Sequence, residues 1–179
     1  HAQGEAAVTR GEGHLLPHGE QPEARTHLQE RCEGLQISGI YYLDPRELPK
    51  GFAGAVFELT TSDVLVVLAC PVLDVRYSAR LAFRWIEKQK IFTRTMVRIF
   101  TQGKGRATAD DWFKQQLQGE VIRYVITTKA PTAEGGEQLE VEFGSGARLW
   151  LRAEPSREHP MCAELDLQIV PVERKWVGA

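Results

Sequence analysis

Apolar positions along the chain change their spacing near residue 36. Before it, Ala24, Leu28 and Cys32 recur every four residues, which predicts a short helix over 22–33. Pro22 suits its first turn and Gly34 its stop. The apolar stripe is narrow, so this helix is expected to lean on the body of the protein without entering its centre. After Gln36 the period drops to two. The stretches 37–43, 52–59, 64–70, 80–85 and 93–100 are rich in β-branched and aromatic residues. Turns are expected at Asp44-Pro45, at Pro49-Lys50-Gly51 and over 60–63.

Two of these stretches specify their surroundings. The run 64–70 is apolar on both faces, as in a strand covered on both sides. In 80–85, Leu81, Phe83 and Trp85 share one face, and Arg80, Ala82 and Arg84 the other. A second helix is expected from Thr108 to Gly119. Thr108 and Asp111 resemble a capping box, and Phe113 and Leu117 lie four apart on one side. Strands resume at 121–127, 139–143 and 147–152. The series Leu165, Leu167, Ile169 alternates with Glu164, Asp166 and Gln168 in a half-buried strand. Nine short strands, frequent turns and two short helices predict a mainly β fold, an antiparallel β-sandwich with two short flanking helices. No internal repeat is evident.

Composition adds the domain plan. At 179 residues with 42% hydrophobic content, the chain has the size of one domain with a tail. Residues 1–21 are rich in Gly, Glu, His and Pro and read as a mobile arm, with 22–179 a single sandwich domain. No stretch reaches the roughly 20 apolar residues of a membrane-spanning helix, and the polar residues 1–20 do not read as a signal peptide. A soluble chain is expected, with the compartment open. Cys32, Cys70 and Cys162 form no CxxC pair. Cys70 reads as a small buried hydrophobe, and a Cys32–Cys162 bridge stays open.

Charge is distributed unevenly. Residues 76–106 hold nine Lys and Arg against Glu87 alone, a net of +8 that leaves −10 for the rest of a chain whose total is −2. If the strands over 80–85 and 93–100 lie side by side, their outward arginines form one basic face. Tyr77, Trp85, Phe92 and Trp112 would be interleaved with it. Such a face attracts phosphates in lipid head groups or nucleic acid, or the carboxylates of an acidic protein. The plain alternative is a solvated face whose arginines pair with acids from elsewhere in the chain.

Catalytic and metal-binding patterns are poor, so no enzyme, cofactor or metal site is expected. His1, His14, His18 and His27 lie in the arm or first helix, and Pro17 prevents a helical alignment of His14 with His18. Asp110 and Asp111 open a helix, where capping is their natural role. Gly103-Lys104-Gly105 lacks the spacing of a phosphate loop.

The stretch from Leu68 to Arg84 resembles the actinoporins, the pore-forming cytolysins of sea anemones, and their wider relatives. In those proteins an apolar strand ends in Pro. Five residues, Tyr-Ser, five more residues and an Arg follow, a spacing kept here by Pro71, Tyr77, Ser78 and Arg84. Gly103–Ala107 before Trp112, and Gly144-Ser145-Gly146 before the closing strands, extend the likeness over roughly residues 50–170. The resemblance implies a sandwich flanked by two helices. It also implies that Tyr77, Ser78 and Trp112 line a phosphocholine-type pocket beside a loop shaped by Pro71. Relatives carry Trp where this chain has Arg76, and a long amphipathic N-terminal helix where residues 1–21 are polar. Both departures speak against pore formation.

The expected function is therefore that of a non-enzymatic binding protein. It would engage a membrane surface or phospholipid head group through Arg76, Tyr77, Ser78, Arg80, Arg84 and Trp112. The alternative is a protein-interaction module that docks an acidic partner. Nucleic acid ranks third, because the remainder is acidic and the pI is near 6.3. Oligomeric state is left open.

Overall fold

The computed structural model describes residues 19–72, 78–92, 97–99, 117–129, 136–159 and 161–172. The chain forms α1 (Leu28–Cys32), β1 (Ile37–Leu43), a 3-10 turn (Pro45–Glu47), β2 (Ala53–Leu59), β3 (Asp63–Val72) and β4 (Ser78–Glu87). There follow α2 (Lys88–Phe92), β5 (Val97–Ile99), β6 (Ile122–Lys129), β7 (Glu137–Phe143), β8 (Arg148–Pro155) and β9 (Ala163–Val170). Two antiparallel sheets result, in the orders β4-β3-β2-β1-β5 and β6-β7-β8-β9. The sandwich-like, mainly β architecture read from the sequence is the observed one.

Strand alternation builds the layer between the sheets. Leu81, Phe83 and Trp85 of β4 meet Leu139 and Val141 of β7 and Leu149 and Leu151 of β8 in one apolar cluster. β4 lies over β7 and β8, while β2 and β3 lie over β9. Of the alternating series in β9, Leu167 is buried and Leu165 and Ile169 are half-buried, as suits a strand at a sheet edge.

A second cluster seals the opposite side of the five-stranded sheet. Val56 of β2 joins Val64, Val66, Leu68 and Cys70 of β3 there, under Leu48 and Ile91. The doubly apolar run of β3 is thus covered on both faces. β3 continues through Pro71 to Val72, beyond the expected end. The proline is tolerated because the β2 ladder stops at Ala53–Ala69, so no β2 partner requires its N–H.

The helices depart from expectation. Residues 22–27 form turns, and only Leu28–Cys32 is helical. Glu23 sits at φ 66°, outside the right-handed helical region. Short as it is, this element does not merely lean on the body. Ala24, Leu28 and Cys32 are all buried in the inter-sheet core. Gly34, at φ 80°, supplies the expected stop. The helix expected from Thr108 falls largely outside the described residues, whereas α2 occupies a stretch predicted to join two strands, anchored by fully buried Ile91.

The segment from Gln21 to Gln36 ties the sheets together. The Gln21 side chain accepts a bond from the Trp85 N–H at 2.8 Å and donates to the Trp85 carbonyl at 3.2 Å, on the free edge of β4. Eight residues on, Gln29 accepts from the Val125 N–H at 2.6 Å and donates to the Arg123 carbonyl at 3.0 Å, on the free edge of β6. Between them Arg25 donates to the Leu81 carbonyl at 2.6 Å and to Glu137 at 2.7 Å. Gly34 and Leu35 then exchange backbone bonds with Ile122. Each glutamine amide mimics a peptide group and fills ladder positions that would otherwise be open to another chain.

The three cysteines are free, so the Cys32–Cys162 bridge does not form. Burial pushes the Cys32 thiol up to about 12 and the Cys70 thiol up to about 11, which leaves both protonated and unreactive at neutral pH.

Candidate functional site

Topology decides the fate of the basic face. β4, which carries Arg80 and Arg84, and β5, which carries Arg98, stand at opposite edges of the five-stranded sheet. Four inter-strand steps of about 4.8 Å place them roughly 19 Å apart. The single face of side-by-side arginine strands is therefore not built. β5 pairs with β1, Leu43 opposite Val97, because the chain between β4 and β5 crosses to the far edge.

Of the expected site residues, Arg76, Tyr77 and Trp112 lie outside the described residues. Ser78 opens β4 opposite Val72 and is half-buried. Pro71, expected to end its strand and shape the loop beyond, is the next-to-last residue of β3, opposite Ala79. Arg80 is exposed opposite Cys70, and Arg84 is half-buried opposite Val66. The structure thus sets Ser78, Arg80 and Arg84 on one strand. Their row is the outer side of the sheet, shared with buried Ala82 and Ile86, in agreement with the alternation of β4.

Around Arg84 the fold builds a polar cleft of about 400 Å³. It is lined by Gln21, Arg31, Asp63, Arg84 and Lys90, with Trp85, Ile86 and Glu87 completing the wall. Each element contributes for a local reason. The start of β3 brings Asp63, the end of β4 brings Arg84 and Glu87, α2 brings Lys90, and α1 brings Arg31. The Arg31 guanidinium sits over the Trp85 ring at 3.9 Å and reaches Asp63 at 2.9 Å. Lys90 lies 3.8 Å from Glu87. Just outside, Lys88 contacts Glu58 at 3.2 Å, and Glu58 accepts a bond from the Tyr41 hydroxyl at 3.0 Å.

These contacts sort the cations of the cleft. Arg31 and Lys90 each have a carboxylate, whereas Arg84 has none among the described residues. A half-buried guanidinium without a counter-charge is a donor fork available to an incoming carboxylate or phosphate. Arg31 and Asp63 escaped the sequence reading. Arg31 lies far outside the basic segment, and a contact between residues 31 and 85 has no local signature.

Comparison of the chain with family models, with curated proteins and with solved structures gives no match. Among the described residues no group of three or more His, Cys, Asp or Glu could hold a metal ion, and no helix is long and apolar enough to cross a membrane.

Proposed function

We propose that this chain is a non-enzymatic β-sandwich binding module that takes up the phosphate of a lipid head group at a membrane surface, through the outer edge of β4. One observation carries the reading: Arg84 lacks a carboxylate among the described residues while its neighbours in the cleft, Arg31 and Lys90, are paired. The +8 balance of residues 76–106 supports it by raising the local concentration of anions. The spacing of Pro71, Tyr77, Ser78 and Arg84 shared with actinoporins supports the same ligand class.

A second reading rests on the separation of β4 from β5. Cations gathered at one edge suit a compact acidic protein segment better than a broad planar membrane. Co-sedimentation with anionic and phosphocholine liposomes, with an acidic peptide as competitor, separates the two. On the membrane reading, Arg80→Glu and Arg84→Glu each weaken binding to anionic liposomes about fivefold or more, at about 1 kcal/mol per cation. They also flatten its salt dependence. Tyr77→Ala and Trp112→Ala weaken binding at every salt concentration. Protein that ignores both liposomes at low salt yet binds the acidic peptide overturns the membrane reading in favour of the second.

A further inference from the structure

The strap from Gln21 to Gln36 supplies two walls of the Arg84 cleft. Its start brings Gln21 and α1 brings Arg31, while β4 brings Arg84 and β3 brings Asp63. Arg31 is committed only in part. Nη2 reaches Asp63 at 2.9 Å and the guanidinium covers the Trp85 ring. Other N–H groups of its five-donor fork are left for a ligand. Gln21 Nε2 gives one hydrogen to the Trp85 carbonyl and keeps a second.

The strap is also fastened where it has no part in the cleft. Gln29 bonds the Val125 N–H and the Arg123 carbonyl on the edge of β6, and none of these three residues lines the cleft. Between the two glutamines, Arg25 ties the Leu81 carbonyl of β4 to Glu137 of β7. These fastenings are side-chain hydrogen bonds in part-buried or exposed positions. The apolar hold is Ala24, Leu28 and Cys32. The helix is five residues long, too short to persist once released. A segment held in this way belongs at the low end of a fold's range of local opening free energies.

Resting on the reading that the cleft takes up a head-group phosphate, we infer that phosphate binding and closure of the strap are one coupled equilibrium. An anion held by Arg84 and Arg31 together bridges β4 to the strap. It therefore binds the closed form, since release of the strap removes Arg31 and Gln21 from the wall. Linkage makes the effect reciprocal: an occupied cleft tightens the strap at β6, and loosening the strap weakens the cleft. A chain seated on phosphate keeps the edges of both sheets covered.

The test is amide exchange of the full chain, followed by NMR. One sample holds inorganic phosphate at ten times its Kd, the other sodium chloride of equal ionic strength. In chloride, the Val125 amide should exchange faster than those of Leu139 and Leu149 in the central strands, because it opens with the strap. Phosphate should slow Val125 about tenfold, the factor by which ligand at that concentration favours the closed form. Arg84→Gln should abolish the slowing. Leu28→Ala with Gln29→Ala, both outside the cleft wall, should raise the Kd for phosphate threefold or more. If that double variant does not fold, the exchange experiment decides alone. Phosphate that shifts no amides over 84–87 overturns the head-group reading and the coupling with it. Phosphate that shifts them and leaves the Val125 rate unchanged overturns the coupling alone. So does a Val125 amide as slow as Leu149 in chloride, or a folded double variant that binds phosphate like the parent.

Discussion

The five-stranded sheet carries a buried apolar cluster on each of its faces, and the four-stranded sheet on one, among the described residues. In β3, Val64, Val66 and Leu68 point away from the other sheet and yet are 0% exposed, no more accessible than Val67 on the inner side. In β8 the equivalent outward positions hold Arg148, Trp150 and Arg152, while Leu149 and Leu151 point inward. The covered sheet stakes stability on two packed layers. The open sheet stakes it on one and leaves its other face for contact with water or a partner. A continuous apolar run and a strict alternation are the sequence forms of these two arrangements.

Truncation on the two outward faces gives the strongest test of that difference. Leu68→Ala should cost about 2–5 kcal/mol, the range for a core leucine, in chemical denaturation. Ile126→Ala, outward on the four-stranded sheet, should cost less than about 1 kcal/mol. Equal losses would show that the second sheet is covered as well.

Next in size is the loss of the edge clips. Gln29→Ala leaves the Val125 N–H and Arg123 carbonyl without their partner and should cost about 1–2 kcal/mol, with Gln21→Ala similar. Amide exchange should speed up at Val125 in the first variant and at Trp85 in the second. Exchange that is unchanged would mean that the backbone at these edges finds other partners.

Alkali should act on both layers of the covered sheet. Cys32 lies in the inner cluster and Cys70 in the outer one, and burial raises both thiols above their ordinary value near 9. The folded chain therefore holds these protons more tightly than the unfolded chain does, so stability is lost as pH rises above 9. Replacing either cysteine with Ala should flatten that loss. At neutral pH half-buried Cys162 should be the first to react with a thiol reagent. Early labelling of Cys70 would show the outer cluster to be less sealed than the inner. Smallest of all, Glu142→Gln on the open face should shift stability by no more than about 0.5 kcal/mol.

Much of this contrast was legible in the residues. The run 64–70 announces a doubly covered strand, and the alternation of 80–85 sets Arg80, Ala82 and Arg84 opposite Leu81, Phe83 and Trp85. The pairing of β5 with β1 was not legible, because strand order depends on how the chain crosses the sheet and leaves no periodic trace. That single crossing dismantled the expected basic face. The cleft was half visible: Arg84 and Lys90 stood out by charge, while Arg31 and Asp63 looked like ordinary surface residues of a helix and a turn. The clips were invisible for a different reason. Glutamine has no strong positional preference, and nothing in residues 21 and 29 marks them as surrogates for peptide groups.

Synthesis sets the clips a timing problem. Gln21 leaves the ribosome 64 residues before its partner Trp85, and Gln29 emerges 96 residues before Val125. At roughly 5–20 residues per second, the segment that holds both glutamines waits for seconds until the strands it fastens exist. Ala24, Leu28 and Cys32 bury between the two sheets, so they lack their full cover until the second sheet is made. The segment from Gln21 to Gln36 is thus made before the strands it fastens and placed after them, and the nascent sandwich passes through a stage with both of those edges bare. A chaperone that held this segment would govern when the edges close.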